Sequence, residues 1–81
     1  MNERDKEFMK TFIDGLRFHG INVSEKVEVT QKALRRSITN FYSLSNPETA
    51  SNKMRFFVES RMFELGESGF VLSNEAKKFF S

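Results

Sequence analysis

The chain contains no cysteine and no tryptophan, and only one proline and one histidine among its 81 residues. Without cysteine it has neither a disulfide scaffold nor a thiolate metal site. A lone His19 leaves no ligand set for structural zinc. No apolar run exceeds three residues, far short of the roughly 20 that cross a bilayer. The opening stretch "MNERDKEFMK" is charged and lacks the apolar core of a signal peptide, so the expected location is cytoplasmic, with no membrane partner. There is no G-x-x-x-x-G-K-[ST], no G-x-G-x-x-G and no serine elbow. Glu7 and Asp14 lie seven apart with no third carboxylate or histidine at useful spacing. The chain is therefore expected to bind and not to catalyse, with no metal and no cofactor.

What is abundant is phenylalanine. Ten Phe and one Tyr supply much of the apolar content, and a few large rings, each burying about 150–250 Å², can fill the thin core open to a single domain of this size, residues 1–81. Net charge is only +2, but it is unevenly spread. Residues 30–61 hold Lys32, Arg35, Arg36, Lys53, Arg55 and Arg61 against Glu48 and Glu59, whereas the segments on either side are balanced or acidic. The excess positive charge thus lies in the middle of the chain, a mild electrostatic footprint for an anionic partner.

Periodicity divides the chain into short elements. Phe8, Phe12 and Leu16, with Met9 and Ile13 alongside, form one apolar stripe and predict a helix over 3–19, ended by Gly20. His19 at that helix end suits the dipole and reads as structural. "INV" (21–23) reads as a short extended piece. "KVEV" (26–29) also has strand character, but Thr30 is a good N-cap, and Leu34, Ile38, Phe41 and Tyr42 follow at helical spacing. The second helix is placed at about 31–43, with a start nearer 25 as the alternative. Asn46 before Pro47 is an N-cap followed by proline at the first helical position, and opens a third helix over about 47–61 whose inner face is Ala50, Met54, Phe57 and Val58, with Arg61 at its edge. In 61–73 the period changes. Two short apolar-alternating runs flank Gly66-Glu67-Ser68-Gly69, which suits a hairpin; the competing reading runs the third helix on to Leu65, with Gly66 as its cap. Ser73 or Asn74 starts a short last helix over 74–80. Phe79 and Phe80 either fold back over the first helix or remain exposed as a dimer surface.

The order of helix, strand, helix, turn, helix, hairpin and helix resembles the winged helix-turn-helix family of DNA-binding domains. The likeness is strongest in "ASNKMRFFVESRMFELGESGFVLSNEAKKFF" (50–80), which looks like a recognition helix, wing and closing helix, and extends loosely over 30–80. The resemblance implies a mainly α fold with a small β-hairpin, a three-helix core plus wing and short C-terminal helix. It implies double-stranded DNA as partner, a homodimer, and a small transcriptional regulator of the kind carried by viruses or mobile elements. In such a domain the third helix enters the major groove. Thr49, Ser51, Asn52, Lys53 and Arg55 are then the residues expected to face outward, unclaimed by the fold, with Asn suited to adenine and Arg or Lys to guanine. Lys32, Arg35 and Arg36 on the second helix are expected to hold the phosphate backbone. The rival reading uses the same scaffold as a protein-interaction module or an inhibitor of a host protein.

Overall fold

A computed structural model describes residues 1–80. Its elements are α1 (Glu3–Phe18), β1 (Glu28–Val29), α2 (Gln31–Tyr42), α3 (Pro47–Glu59), β2 (Phe63–Leu65), β3 (Phe70–Leu72) and α4 (Asn74–Phe80). The chain is mainly helical with a small antiparallel sheet, in which β3 lies between β1 and β2. Across the hairpin Phe63 faces Leu72 and Leu65 faces Phe70, while Glu28 on β1 faces Val71.

Local chemistry sets the helix starts. The Asn2 side chain accepts from the Asp5 N–H at 2.8 Å while the Asp5 carboxylate accepts from the Asn2 N–H at 3.4 Å, a reciprocal cap that satisfies two otherwise free donors. Thr30 accepts from the Ala33 N–H at 3.0 Å and Asn46 from the Glu48 N–H at 2.9 Å. Ser73, and not Asn74, caps α4: its hydroxyl accepts from the Ala76 N–H at 3.0 Å and donates to the Arg61 carbonyl at 2.6 Å. That second bond ties the last helix to the end of α3.

Helix α2 starts at Gln31, where the periodicity places it, while two other boundaries differ and the alternative start near 25 is excluded. "INV" is not a strand, because the edge of β3 is taken by the next apolar pair along: the Leu72 N–H donates to the Val27 carbonyl at 2.9 Å and Val29 faces Phe70. The segment 25–30 is not helical for the same reason. And α3 stops at Glu59, short of 61. Arg61 takes a left-handed φ of 64°, which lets the Met62 N–H reach back to the Phe57 carbonyl at 2.9 Å and satisfy a helix-end acceptor. The chain then enters β2, so residues 61–73 form the hairpin and the longer-helix alternative is excluded.

The hairpin tip is held down. The Gly66 N–H donates to the Gly69 carbonyl at 2.8 Å, and the Glu28 carboxylate accepts from the Ser68 N–H at 2.9 Å. Gly69 passes so close to the backbone of Val29 and Thr30 that a Cβ there would collide with the Val29 carbonyl. Glycine is required at this position for its size, not for its conformational freedom.

Aromatic side chains form the centre of the core. Phe8, Phe57 and Phe63 are its largest fully buried residues, and the Phe8 ring lies 5.1–5.8 Å from those of Phe12, Phe41, Tyr42 and Phe57. Leu34 and Ile38 from α2, and Ala50 and Met54 from α3, complete it. Helix α4 packs on α1 through buried Ala76, which brings Phe80 back against the core while Phe79 stays 71% exposed. No helix among the described residues is long and apolar enough to cross a membrane.

Candidate nucleic-acid interface

Helix α3 buries Ala50, Met54 and Phe57. At 100° per residue, the opposite stripe is Glu48, Asn52, Arg55 and Glu59, all exposed. Thr49 is exposed on one flank of this stripe. Ser51 lies half-buried on the other, where its hydroxyl accepts from Arg35 Nη2 at 3.4 Å. Asn52 and Arg55 thus point outward as the pattern predicts, but they share their stripe with two carboxylates.

Lys53 is a correction. It was expected to be unclaimed by the fold; instead it turns inward. Its ammonium lies 2.7 Å from Asp5 Oδ1, the Asp5 side chain is only 3% exposed, and that of Lys53 26%. The Tyr42 hydroxyl donates to the same carboxylate oxygen at 2.7 Å. The ammonium also sits 4.9 Å from the Tyr42 ring centre and 4.8 Å from that of Phe56, both within cation–π range. Burial alone pushes the Asp5 carboxyl upward, but hydrogen bonds from Lys53 and Tyr42, the Lys53 charge and the Asn2 N–H outweigh it and hold the group below its ordinary value. For Tyr42 burial, then the hydrogen bond to Asp5 and its negative charge, raises the phenol well above its usual value. The start of α1, the end of α2 and the middle of α3 are therefore locked by one buried carboxylate. A single sequence signal pointed to it: Asp5 stands three and four residues before Phe8 and Met9, on the apolar stripe of α1, where an unpaired charge is not tolerated.

On α2 the three cations divide in the same way. Arg35 is half-buried against α3, and its Nε is enclosed with no hydrogen-bond partner among the described residues. Lys32 and Arg36 are exposed and enter none of the ion pairs among the described residues. Helix α2 has no acidic residue at all, so these charges are not neutralised locally. The geometry thus brings Lys32, Arg36, Thr39, Ser51, Asn52 and Arg55 to the exposed side of the α2–α3 pair, with Arg35 beneath them.

The hairpin contributes the opposite sign. Glu64 and Glu67 are exposed, Leu65 is 74% exposed, and residues 62–73 contain no Lys or Arg. An apolar hollow of about 230 Å³ separates the hairpin residues Leu65 and Phe70 from Arg55 and Ser51. A larger groove of about 460 Å³ opens between α1 and α2, walled by Phe12, Leu16 and Phe41 and lined also by His19, Ser37 and Asn40. Among the described residues no three His, Cys, Asp or Glu side chains cluster to hold a metal ion. No protein family, curated protein or solved structure matches the chain.

Proposed function

We propose that the chain is a winged-helix protein that binds double-stranded DNA and regulates transcription, laying the exposed side of α2 and α3 on the duplex. The observation that carries this reading is the acid-free α2, whose exposed and unpaired Lys32 and Arg36 flank the outward stripe of α3. The element order, with a middle strand β3 between β1 and β2, supports the same assignment. Roles follow from chemistry. Lys32 and Arg36 neutralise phosphates and fix register. Asn52 and Arg55 reach base edges, for which the amide suits adenine and the guanidinium guanine. Thr49 and Ser51 donate to phosphate or a base edge, and Arg35 holds α2 against α3. Lys53 has no part in contact, because its ammonium is already engaged.

The hairpin stays clear of the backbone in this reading. Glu64 and Glu67 repel phosphate, and the bond from the Ser68 N–H to Glu28 holds the tip back on β1. With the two cations Lys32 and Arg36 meeting phosphate, the logarithm of the binding constant should fall with the logarithm of salt with a slope of roughly −2. Fluorescence anisotropy on random and selected duplexes from 50 to 300 mM salt tests this. Absence of binding at about 50 mM salt and 10 µM protein removes the DNA reading.

A second reading, docking on a protein partner such as a host factor the chain inhibits, draws on exposed Leu65 beside the acidic hairpin. Capture that is insensitive to salt and lost in Leu65→Ser would favour it over DNA.

A further inference from the structure

We propose that the groove between α1 and α2 binds one medium-chain fatty acid, its hydrocarbon chain laid along α1 and its carboxylate at His19. The inference goes beyond the DNA reading and does not depend on it. The groove holds about 460 Å³, within the range of small-molecule sites. Phe12, Leu16 and Phe41 wall it, with buried Phe8 beneath them. Gly15 keeps its middle clear: a Cβ built there meets nothing within 4 Å.

Shape selects the occupant. The lining follows α1 from Phe8 to His19, a distance of about 16 Å at the rise of an α-helix. Spread over that length, the volume leaves a cross-section of roughly 28 Å². A helix with its side chains needs roughly 80–110 Å², so a partner helix does not fit inside. An extended peptide is narrower, but it would bury backbone amides without partners. The flanking backbones are already paired within α1 and α2, and the groove adds few neutral polar side chains, Thr11, Ser37 and Asn40. An unbranched hydrocarbon chain is narrow and asks for no hydrogen bond.

Charge selects the head group. No Asp, Glu, Lys or Arg lines the groove, and His19, at one end of it, is the lining side chain able to carry a charge. The α1 acids flanking the strip are already held, Glu7 by Arg4 at 3.2 Å and Asp14 by Arg17 at 3.7 Å. Arg4 lies 4.1 Å from the centre of the Phe41 ring and donates to the Phe41 carbonyl at 2.9 Å. It therefore places a cation toward the other end, but one already bonded to Glu7 and to that carbonyl. Arg36, beside Ser37, is exposed and enters none of the ion pairs among the described residues. Apolar walls under a positive rim suit an anion with a long apolar body. A fully covered CH₂ adds about fourfold in affinity. Because the groove is open along one side, about two- to threefold is expected, and the gain should end once the extended chain outruns the groove.

Isothermal titration calorimetry of the full chain, without DNA, tests the proposal with hexanoate, octanoate, decanoate and dodecanoate, each below its critical micelle concentration. Binding should be one-to-one and tighten by about two- to threefold per CH₂. Gly15→Leu fills the strip and should weaken every acid at least about tenfold, while circular dichroism and melting temperature show the fold retained. His19→Gln should weaken octanoate by about two- to fivefold and leave 1-octanol unchanged, a difference that a purely structural role for His19 would not produce. Leu65→Ser, on the hairpin, should bind as wild type does. Absence of binding, affinity that does not grow with chain length, or binding unaffected by Gly15→Leu overturns the proposal. So does cosedimentation with anionic phospholipid vesicles, equal in wild type and Gly15→Leu, when monomeric octanoate does not bind.

Discussion

Replacing Lys53 by alanine leaves Asp5, a carboxylate on a side chain 3% exposed, without its cation. Removing one partner of a fully buried pair costs about 3–5 kcal/mol. Here water still reaches the ammonium, whose side chain is 26% exposed, so the expected loss is smaller, about 2–3 kcal/mol. In a domain of this size that lowers the melting temperature by roughly 8–24 °C. The pH dependence gives a sharper check. In the wild type the carboxyl sits below its ordinary value, so its contribution is complete above about pH 5 and is lost as pH falls through the folded value. In the variant both lowering contributions of Lys53 are gone, so the carboxyl sits higher than in the wild type. Acid then protonates Asp5 and relieves the unpaired charge, so the gap between the two proteins should narrow below about pH 4. Urea unfolding followed by circular dichroism at pH 7 and pH 3 measures both quantities. A gap under about 0.5 kcal/mol at pH 7, or one of equal size at pH 3, would refute the assigned role of the buried pair. The double variant Asp5→Asn with Lys53→Met should recover much of the loss, because a neutral pair leaves no uncompensated ion.

Other perturbations test other parts of the structure. Lys32→Ala and Arg36→Ala should each reduce the salt slope of DNA binding by about 1 and leave the melting temperature unchanged, since both side chains are exposed. Gly69→Ala should destabilise by about 1–3 kcal/mol, as the new methyl meets the Val29 carbonyl; in Gly15→Ala, where the space is open, stability should instead rise by about 0.5–1 kcal/mol. Ser43 caps α2 at a left-handed φ of 54°, so Ser43→Gly should gain about 0.5–1 kcal/mol in thermal unfolding.

Most of the helical framework was legible in the sequence because its signals are local. Asn46-Pro47, Thr30 and Ser73 mark helix starts by hydrogen bonds that span two or three residues, and the Phe8–Phe12–Leu16 spacing defines a face without reference to the rest of the chain. The placement of β1 was not legible. "INV" and "KVEV" are equally strand-like alone, and which of them pairs with β3 is decided by a contact more than forty residues away. The end of α3 was hidden for a different reason: a left-handed turn is expected at glycine, and here arginine adopts it. Within the candidate site, Asn52 and Arg55 follow from helical angle alone. Lys53 does not, because a lysine at the edge of an apolar face looks the same whether it reaches into water or toward a carboxylate on a distant helix. The Asp5 position on the apolar stripe of α1 carried that information, though nothing near it in sequence named the partner.

The small sheet has a consequence for how copies of this chain can meet. Its two edges are β1, of two residues, and β2, of three. A strand so short presents only one or two free backbone groups to a newcomer, too few to template an added strand, and Glu64 on β2 places a charge at that edge. The tip between β2 and β3 is bonded to Glu28, which opposes opening of the hairpin to lengthen the edge. A phenylalanine-rich chain with long bare strands would be prone to stack edge to edge into fibres. Here both edges of the sheet are too short to template backbone-mediated growth.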